Sequence, residues 1–214
     1  MAAPVRPDRP PMTLAQFLWW EREQPFKHEF VDGQVRATTG TTWRHNEILL
    51  NVADVLRTAQ HGTGCRTGAA DIQVRTPAGR VYYPDVVVSC GPRHIVDRHA
   101  RGPCIVVEVT SPSTQHVDRG EKLNEYRTVS TLGAYVLVDH TTRRLECHLR
   151  GAEGGWSELV VADATDVREV VLPCLDVVLT LDDVYDFEGT DLMPPGPDLP
   201  PDEPLPPTDL PLAP

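Results

Sequence analysis

The run Cys104-Ile-Val-Val-Glu-Val109 constrains the fold of this chain more than any other segment. It is apolar at every position except Glu108. A strand built from it must therefore be covered on both faces, as strands are in sheets that carry helices. A second apolar run, Ala134-Tyr-Val-Leu-Val138, follows a helical segment expected at about residues 118 to 129. The order strand, helix, strand predicts a mixed sheet flanked by helices.

The segments around this centre carry further helix and strand patterns. Thr13 and Gln16 form a capping box before a predicted helix of about ten residues. The pair Asp32-Gly33 predicts a hairpin, and apolar spacings of three and four predict an amphipathic helix from about residue 43 to 60. Further strands are expected at residues 70–75, 81–83, 85–88, 144–149, 156–161 and 170–180.

Prolines divide the chain of 214 residues into one domain and two ends. Ten of the 21 prolines lie in residues 194–214 and four more in residues 1–11, a composition typical of segments that do not pack into a core. We therefore expect disordered ends at residues 1–11 and 191–214, the second of them acidic. Residues 12–190 are long enough to form one domain with a single hydrophobic core.

The net charge and the cysteine content limit the classes of function that this chain can have. The formal net charge of −11 argues against broad phosphate binding, which needs clustered Lys and Arg, but it leaves room for a metal site built from carboxylates. No targeting or membrane-spanning segment is apparent, so we expect a cytoplasmic protein without a membrane partner. The cysteines are widely separated and form no CxxC motif, so we expect reduced, mostly buried thiols at Cys65, Cys90, Cys104, Cys147 and Cys174.

Two acidic residues are candidates for chemistry. Glu108 interrupts an apolar strand, and a buried carboxylate requires a partner. That partner is either an arginine in a structural ion pair or a metal ion. Asp85 follows Tyr83-Pro84 at the start of a valine-rich strand, where a Pro-Asp turn is the simpler explanation. Two acids on adjacent strands can alternatively bind one hard cation such as Mg²⁺.

The helix after Glu108 presents Asp118, Lys122 and Tyr126 on one face, because these residues are spaced four apart. An exposed ion pair between Asp118 and Lys122 is the ordinary interpretation. The chain has only two lysines against 18 arginines, which favours a specific role for Lys122, since a compact ammonium group can orient or polarise a water molecule.

The ordered motifs of residues 12–188 resemble the Uma-two family of restriction-endonuclease-like proteins, within the PD-(D/E)XK nuclease superfamily. The motifs are Glu29-Phe-Val-Asp-Gly33, His45, Tyr83-Pro-Asp85, Val107-Glu-Val-Thr-Ser-Pro-Ser-Thr114, Asp118, Lys122, Tyr126 and Tyr135-Val-Leu-Val-Asp139. The resemblance implies an α/β (α+β) fold of the restriction-endonuclease type, with an αβββαβ core and a metal site on its central strands.

The resemblance also implies roles for single residues. Asp85 matches the PD aspartate and Glu108 the D/E position, so both are expected to bind Mg²⁺ or Mn²⁺. Thr110 stands where the superfamily motif has a lysine, and Lys122 stands where the Uma-two family places that lysine on the following helix.

His45 and Glu29 match further positions of the family. Without the resemblance, His45 is equally well explained as a core histidine, because it precedes the apolar face of its predicted helix. Glu29 is explained as a solvated or cross-strand-paired carboxylate. The resemblance makes both of them possible additional members of the site.

The expected function is that of a metal-dependent endonuclease acting on nucleic acid, with DNA as the expected substrate. Asp85 and Glu108 would bind the metal, and Lys122 would orient the attacking water. A positive cleft could be formed by Arg44, Arg75, Arg80 and Arg119. Two alternatives stay open: a non-catalytic interaction module that docks through the Pro-rich tail, and a phosphodiesterase of small nucleotides. A homodimer is compatible with each of them.

Overall fold

The computed structural model describes residues 11–38, 40–92, 94, 96–163, 165–166 and 169–186. The Pro-rich tail and all of the expected N-terminal segment except Pro11 lie outside the described residues. The helices are α1 (Leu14–Trp20), α2 (Trp43–Ala59), α3 (Gln115–Val117), α4 (Leu123–Thr128) and α5 (Leu181–Val184), with a 3₁₀ turn at Glu21–Glu23 and a π-helical turn at Asp118–Lys122.

The strands are β1 (His28–Val31), β2 (Gln34–Ala37), β3 (Arg66–Ala69), β4 (Val74–Arg75), β5 (Val81–Tyr82), β6 (Val86–Ser89), β7 (Pro103–Thr110), β8 (Ala134–Asp139), β9 (Arg144–Arg150), β10 (Trp156–Asp163), β11 (Val170–Leu172) and β12 (Val177–Leu179). The main sheet has the spatial order β10-β9-β8-β7-β6-β3. Within it β7 and β8 are parallel, and the other neighbours are antiparallel. A second sheet has the order β2-β1-β5-β4, and β11 pairs with β12.

The main sheet and its helices form the expected core. In chain order α2, β3, β6, β7, α4 and β8 give the αβββαβ sequence, while β4 and β5 join the second sheet. The predicted mixed sheet flanked by helices is confirmed. None of the described helices combines the length and the apolar character that a bilayer crossing requires.

The apolar strand β7 is buried along its whole length. Its alternating side chains enter two different cores, as the pleat requires. Ile105 and Val107 pack in the core that contains the apolar face of α2. Val106 packs in the core that contains Tyr126 of α4, and Glu108 lies on this second face. The residue that interrupts the apolar run is therefore enclosed between the sheet and α4.

Local sequence patterns predict several secondary-structure elements correctly and two incorrectly. The capping box of Thr13 and Gln16 is present, and Asp32 and Gly33 turn the β1–β2 hairpin with positive φ angles of 51° and 83°. Of the expected strand at residues 70–75 only Val74–Arg75 forms a strand, β4, because Ala70 has a φ of 55° and the chain turns between β3 and β4. The expected strand at residues 170–180 is a hairpin, β11–β12, whose turn contains Cys174 in the left-handed region.

Four of the five cysteines form disulfide bonds, so the expectation of reduced thiols is wrong for them. Cys65 is bonded to Cys90, and Cys104 is bonded to Cys174. Cys147 is a free thiol, and burial raises its pKa to about 12. The bonded partners are 25 and 70 residues apart. Short cysteine motifs therefore cannot reveal pairs that the sheet topology brings together.

Candidate active site

The pairing of β6 with β7 brings Asp85 and Glu108 to neighbouring positions. Val86 lies opposite Val107 in this antiparallel pair, so Asp85, one residue before β6, falls beside Glu108. The Oδ2 atom of Asp85 accepts a hydrogen bond of 2.7 Å from the backbone N–H of Val109. The two predicted metal ligands therefore lie at the same end of two adjacent strands.

Lys122 lies among three carboxylates. Its Nζ is 3.1 Å from Oε1 of Glu108, 3.3 Å from Oε1 of Glu29 and 3.3 Å from Oδ1 of Asp118. The interpretation of Asp118 and Lys122 as an exposed ion pair is wrong, because both residues are buried. Burial alone would lower the pKa of Lys122, but the negative charges of Glu108, Glu29 and Asp118 raise it well above its usual value. Lys122 is therefore protonated at neutral pH.

The π-helical turn at Asp118–Lys122 directs both of these residues towards the sheet. Such turns interrupt the regular hydrogen bonds of a helix and are frequent at functional sites. Here the hydroxyl of Tyr135, from β8, donates a hydrogen bond of 3.0 Å to the backbone carbonyl of Asp118. The sheet thus supports the irregular turn with a buried hydrogen bond.

Tyr126 supplies a second donor to Glu108. Its hydroxyl lies 3.1 Å from the same Oε1 atom that contacts Lys122. Burial and the charge of Glu108 raise the pKa of Tyr126 well above its usual value, so the hydroxyl keeps its proton. The partners of Glu108 are thus a lysine and a tyrosine rather than an arginine.

The two additional candidates also reach this cluster. Nε2 of His45, from the first turn of α2, is 3.4 Å from Oδ2 of Asp85. Burial would lower the pKa of His45, but the hydrogen bond and the charge of Asp85 raise it overall. Nδ1 of His45 is buried and has no hydrogen-bond partner within the described part of the chain. Glu29 arrives from β1 of the second sheet through its contact with Lys122.

Negative charge exceeds positive charge in this acidic cluster, which we define as Glu29, His45, Asp85, Glu108, Asp118, Lys122 and Tyr126. It contains four carboxylates, one lysine and one histidine. Burial, the largest cause, raises the pKa of Glu108 well above its usual value; Lys122 opposes this shift, and the charges of Asp118, Asp85 and Glu29 add to it. Carboxylate oxygens are the ligands that hard divalent cations prefer, so this donor set fits Mg²⁺ or Mn²⁺.

The sequence analysis predicts most members of the acidic cluster as site residues, but it assigns Asp118 and Tyr126 no role in the site. The spacing of four residues could have indicated such a role, because it places both residues on one helical face with Lys122. Their burial depends on the sheet against which that face packs. The proposed positive cleft receives little support, since Arg80 binds Asp32 and Glu125. Arg119 binds Glu146 in the same way.

The fold and the acidic cluster define a restriction-endonuclease-like protein, and comparison with known proteins identifies its family. The sequence model of the Uma2 family, described as "Putative restriction endonuclease", matches residues 14–182. The protein slr1290 of Synechocystis sp., itself uncharacterised, is 34% identical over 152 residues, which cover 69% of this chain and 78% of that protein. The uncharacterised protein sll1609 of the same organism is 26% identical over 149 residues, covering 68% and 84%. The chain belongs to the Uma2 family.

A solved structure shares the fold. The crystal structure of a protein from Anabaena variabilis, described as a putative nuclease belonging to DUF820, superposes with a TM-score of 0.66 at 17% identity. The superposition covers 82% of this chain and 98% of that one. Most of the described chain therefore has the architecture of that protein.

Proposed function

We propose that this protein is a metal-dependent endonuclease of the PD-(D/E)XK type that hydrolyses phosphodiester bonds in DNA. The observation that carries the proposal is the acidic cluster at the end of the central strands, in which three carboxylates contact Lys122 and the fourth, that of Asp85, contacts His45. Structural ion pairs alone do not need such a surplus of buried and partly buried negative charge. Membership of the Uma2 family supports the same conclusion.

Asp85 and Glu108 would hold Mg²⁺ or Mn²⁺ at the strand ends. When bound, such an ion supplies a Lewis acid for a phosphate oxygen and lowers the pKa of a water molecule. The exposed fraction of the carboxylate side chains falls from 21% at Asp85 to 6% at Glu108 and 3% at Asp118. A phosphate would therefore approach from the side of Asp85.

The surrounding residues hold the two carboxylates in fixed positions. Lys122 and Tyr126 both contact Oε1 of Glu108, and the Val109 amide holds Oδ2 of Asp85. A preorganised polar site needs little rearrangement during the reaction. The protonated ammonium of Lys122 also places a positive charge where an attacking water or the charge developing on phosphate can be stabilised.

The proposal is tested by cleavage assays with the full chain, stripped of metal and then supplied with Mg²⁺. We expect internal cleavage of plasmid DNA that depends on Mg²⁺. Asp85→Asn and Glu108→Gln should each lower the rate by about 10³-fold, the upper range for loss of one electrostatic group. Asp54→Asn, an exposed acid on α2, is the matched control and should retain full activity.

The remaining hypotheses predict other results in this assay. Preferred cleavage of single-stranded RNA or of a cyclic dinucleotide would reassign the substrate while retaining the chemistry. Full activity in Asp85→Asn or Glu108→Gln would contradict the site assignment. Calorimetric binding of Mg²⁺ without cleavage of any substrate in the panel would favour a non-catalytic module.

A further inference from the structure

A second polar cluster involves the four cysteines Cys65, Cys90, Cys104 and Cys174. The sulfur of Cys90 lies 3.3 Å from that of Cys104, although the two belong to different disulfides. The sulfurs of Cys90, Cys104 and Cys174 all lie within 4.8 Å of one another. Cys65 is bonded to Cys90, which is one member of this group. Three sulfur atoms from distant parts of the sequence therefore converge on one small volume, and a fourth is bonded to one of them.

The sheet topology explains this convergence. Cys65 directly precedes β3 and Cys90 directly follows β6, and these strands pair with Arg66 opposite Ser89. Cys104 belongs to β7, the other neighbour of β6, while Cys174 lies in the turn of the β11–β12 hairpin. Cys104 precedes Glu108 by four residues of one strand, which at the rise of a strand is about 13 Å. The four-cysteine cluster is thus separate from the acidic cluster.

The backbone around the cysteines allows this close approach. A Cβ atom on Gly91 would lie 2.1 Å from the carbonyl oxygen of Arg101, so only glycine fits where the chain leaves β6. A Cβ atom on Gly133 would lie 2.8 Å from Cγ of Pro173, which precedes Cys174. Cys174 itself has a φ of 64°, in the left-handed region that favours glycine. A cysteine at such a position is consistent with a requirement for its sulfur.

Two disulfides that serve only as cross-links have no need to touch each other, whereas the four ligands of one metal ion must. A tetrahedral zinc ion with Zn–S distances of about 2.3 Å holds its sulfurs about 3.8 Å apart. This spacing lies between the 3.3 Å contact of Cys90 with Cys104 and the 4.8 Å limit that holds for the sulfurs of Cys90, Cys104 and Cys174, and Cys65 is bonded to Cys90. Thiolates select soft or borderline ions over Mg²⁺. We propose that the reduced four-cysteine cluster binds one Zn²⁺ ion through all four sulfurs.

The conversion of the two disulfides into a zinc site requires a reductant, and its atoms and electrons balance when this reductant is a dithiol. Two equivalents of dithiol transfer four electrons and four protons, which break both disulfides and give four thiols, while each dithiol becomes a disulfide. Zinc binding then displaces the four thiol protons. Cys90 and Cys174 are exposed, which gives the reductant and the ion access from solvent, whereas Cys65 and Cys104 are buried. The bound ion would join the β11–β12 hairpin to the main sheet.

The test uses the full chain, reduced with a phosphine and titrated with Co²⁺ and then with Zn²⁺. We expect one Co²⁺ per chain, with the intense visible absorption of tetrahedral thiolate coordination, and its displacement by one Zn²⁺. Cys104→Ser should weaken zinc binding by more than about 100-fold, beyond the effect of losing a residue that only supports a ligand. Cys147→Ser changes the free cysteine outside the cluster and should bind zinc as the parent chain does.

Several results would overturn the proposal. These are failure of the reduced, folded chain to bind zinc stoichiometrically, equal zinc affinity in Cys104→Ser, or stoichiometric iron in the purified protein instead of zinc. If Cys104→Ser does not fold, the exposed Cys90→Ser takes its place in the same titration. Asp85→Asn should bind zinc normally, so the outcome does not depend on the proposed nuclease function.

Discussion

The two polar clusters of this molecule make opposite contributions to its stability. The acidic cluster encloses like charges that repel one another, and burial together with this repulsion raises the pKa of Glu108. The four-cysteine cluster joins distant segments by covalent bonds, which restrict the unfolded chain and stabilise the fold. A site that opposes stability is retained where function requires it. The acidic cluster has that character, and the four-cysteine cluster has the character of a structural support.

Substitution of Lys122 has the largest expected effect, because its ammonium group contacts the buried carboxylates of Glu108 and Asp118 and the partly buried carboxylate of Glu29. We expect Lys122→Met to lower the free energy of unfolding by about 3–5 kcal/mol, since it leaves buried negative charge uncompensated. Denaturant unfolding of the metal-free chain measures this loss. Adding Glu108→Gln should recover part of it, because one of the uncompensated carboxylates is then removed.

Lys27 is the matched control, being the other lysine of the chain. It forms an exposed ion pair of 3.7 Å with Asp71, so Lys27→Met should cost at most about 1 kcal/mol. Equal costs for the two substitutions would contradict the description of the acidic cluster as a buried, charge-dependent site.

The acidic cluster was largely predictable from sequence because its chemistry conflicts with its surroundings. Glu108 interrupts an apolar strand, and that conflict requires a partner whatever the fold is. The spacing of Asp118, Lys122 and Tyr126 correctly predicts that the three side chains share one face of the helix. The sequence pattern does not predict the burial of that face, which depends on the sheet against which the helix packs, or the contact of Lys122 with Glu29 of the second sheet.

Removal of either disulfide has the next largest expected effect on stability, and the two losses can be compared with each other. Under oxidising conditions, Cys104→Ser and Cys65→Ser should each lower the free energy of unfolding by about 2–4 kcal/mol. Cys104→Ser should cost more, because its bond spans 70 residues and that of Cys65 spans 25. Unfolding in denaturant, with and without a dithiol, measures both. An unchanged midpoint of denaturant unfolding in both variants would contradict a structural role of the four-cysteine cluster.

The four-cysteine cluster was not predictable, although every cysteine was counted. In the sequence each of these cysteines is compatible with its segment as a small apolar residue, and the left-handed φ of Cys174 is visible only in the structure. Their meeting depends on the β3–β6–β7 order and on the turn of a hairpin that the sequence pattern gave as a single strand. Residues that conflict with their local environment are therefore visible in sequence, whereas residues that agree with it become visible only in the fold.

The smallest expected effect is a pH dependence that belongs to the acidic cluster alone. Burial and the neighbouring carboxylates raise the pKa of Glu108, so a bound Mg²⁺ must displace a proton at any pH below this raised pKa. Mg²⁺ affinity should then rise by up to about tenfold per pH unit, or about 1.4 kcal/mol, from the usual glutamate pKa of about 4.3 upwards. It should level off above the raised pKa.

The stability of the metal-free chain should change in the opposite direction over the same range. A folded state with a raised glutamate pKa binds more protons than the unfolded state, so the free energy of unfolding falls as pH increases. Glu108→Gln should flatten both trends, whereas Asp54→Asn on the exposed face of α2 should leave both intact. Calorimetric Mg²⁺ titration and thermal unfolding across this pH range measure the two trends. An affinity independent of pH in the parent chain would mean that Glu108 is ionised throughout this range, which would contradict the raised pKa that distinguishes the acidic cluster.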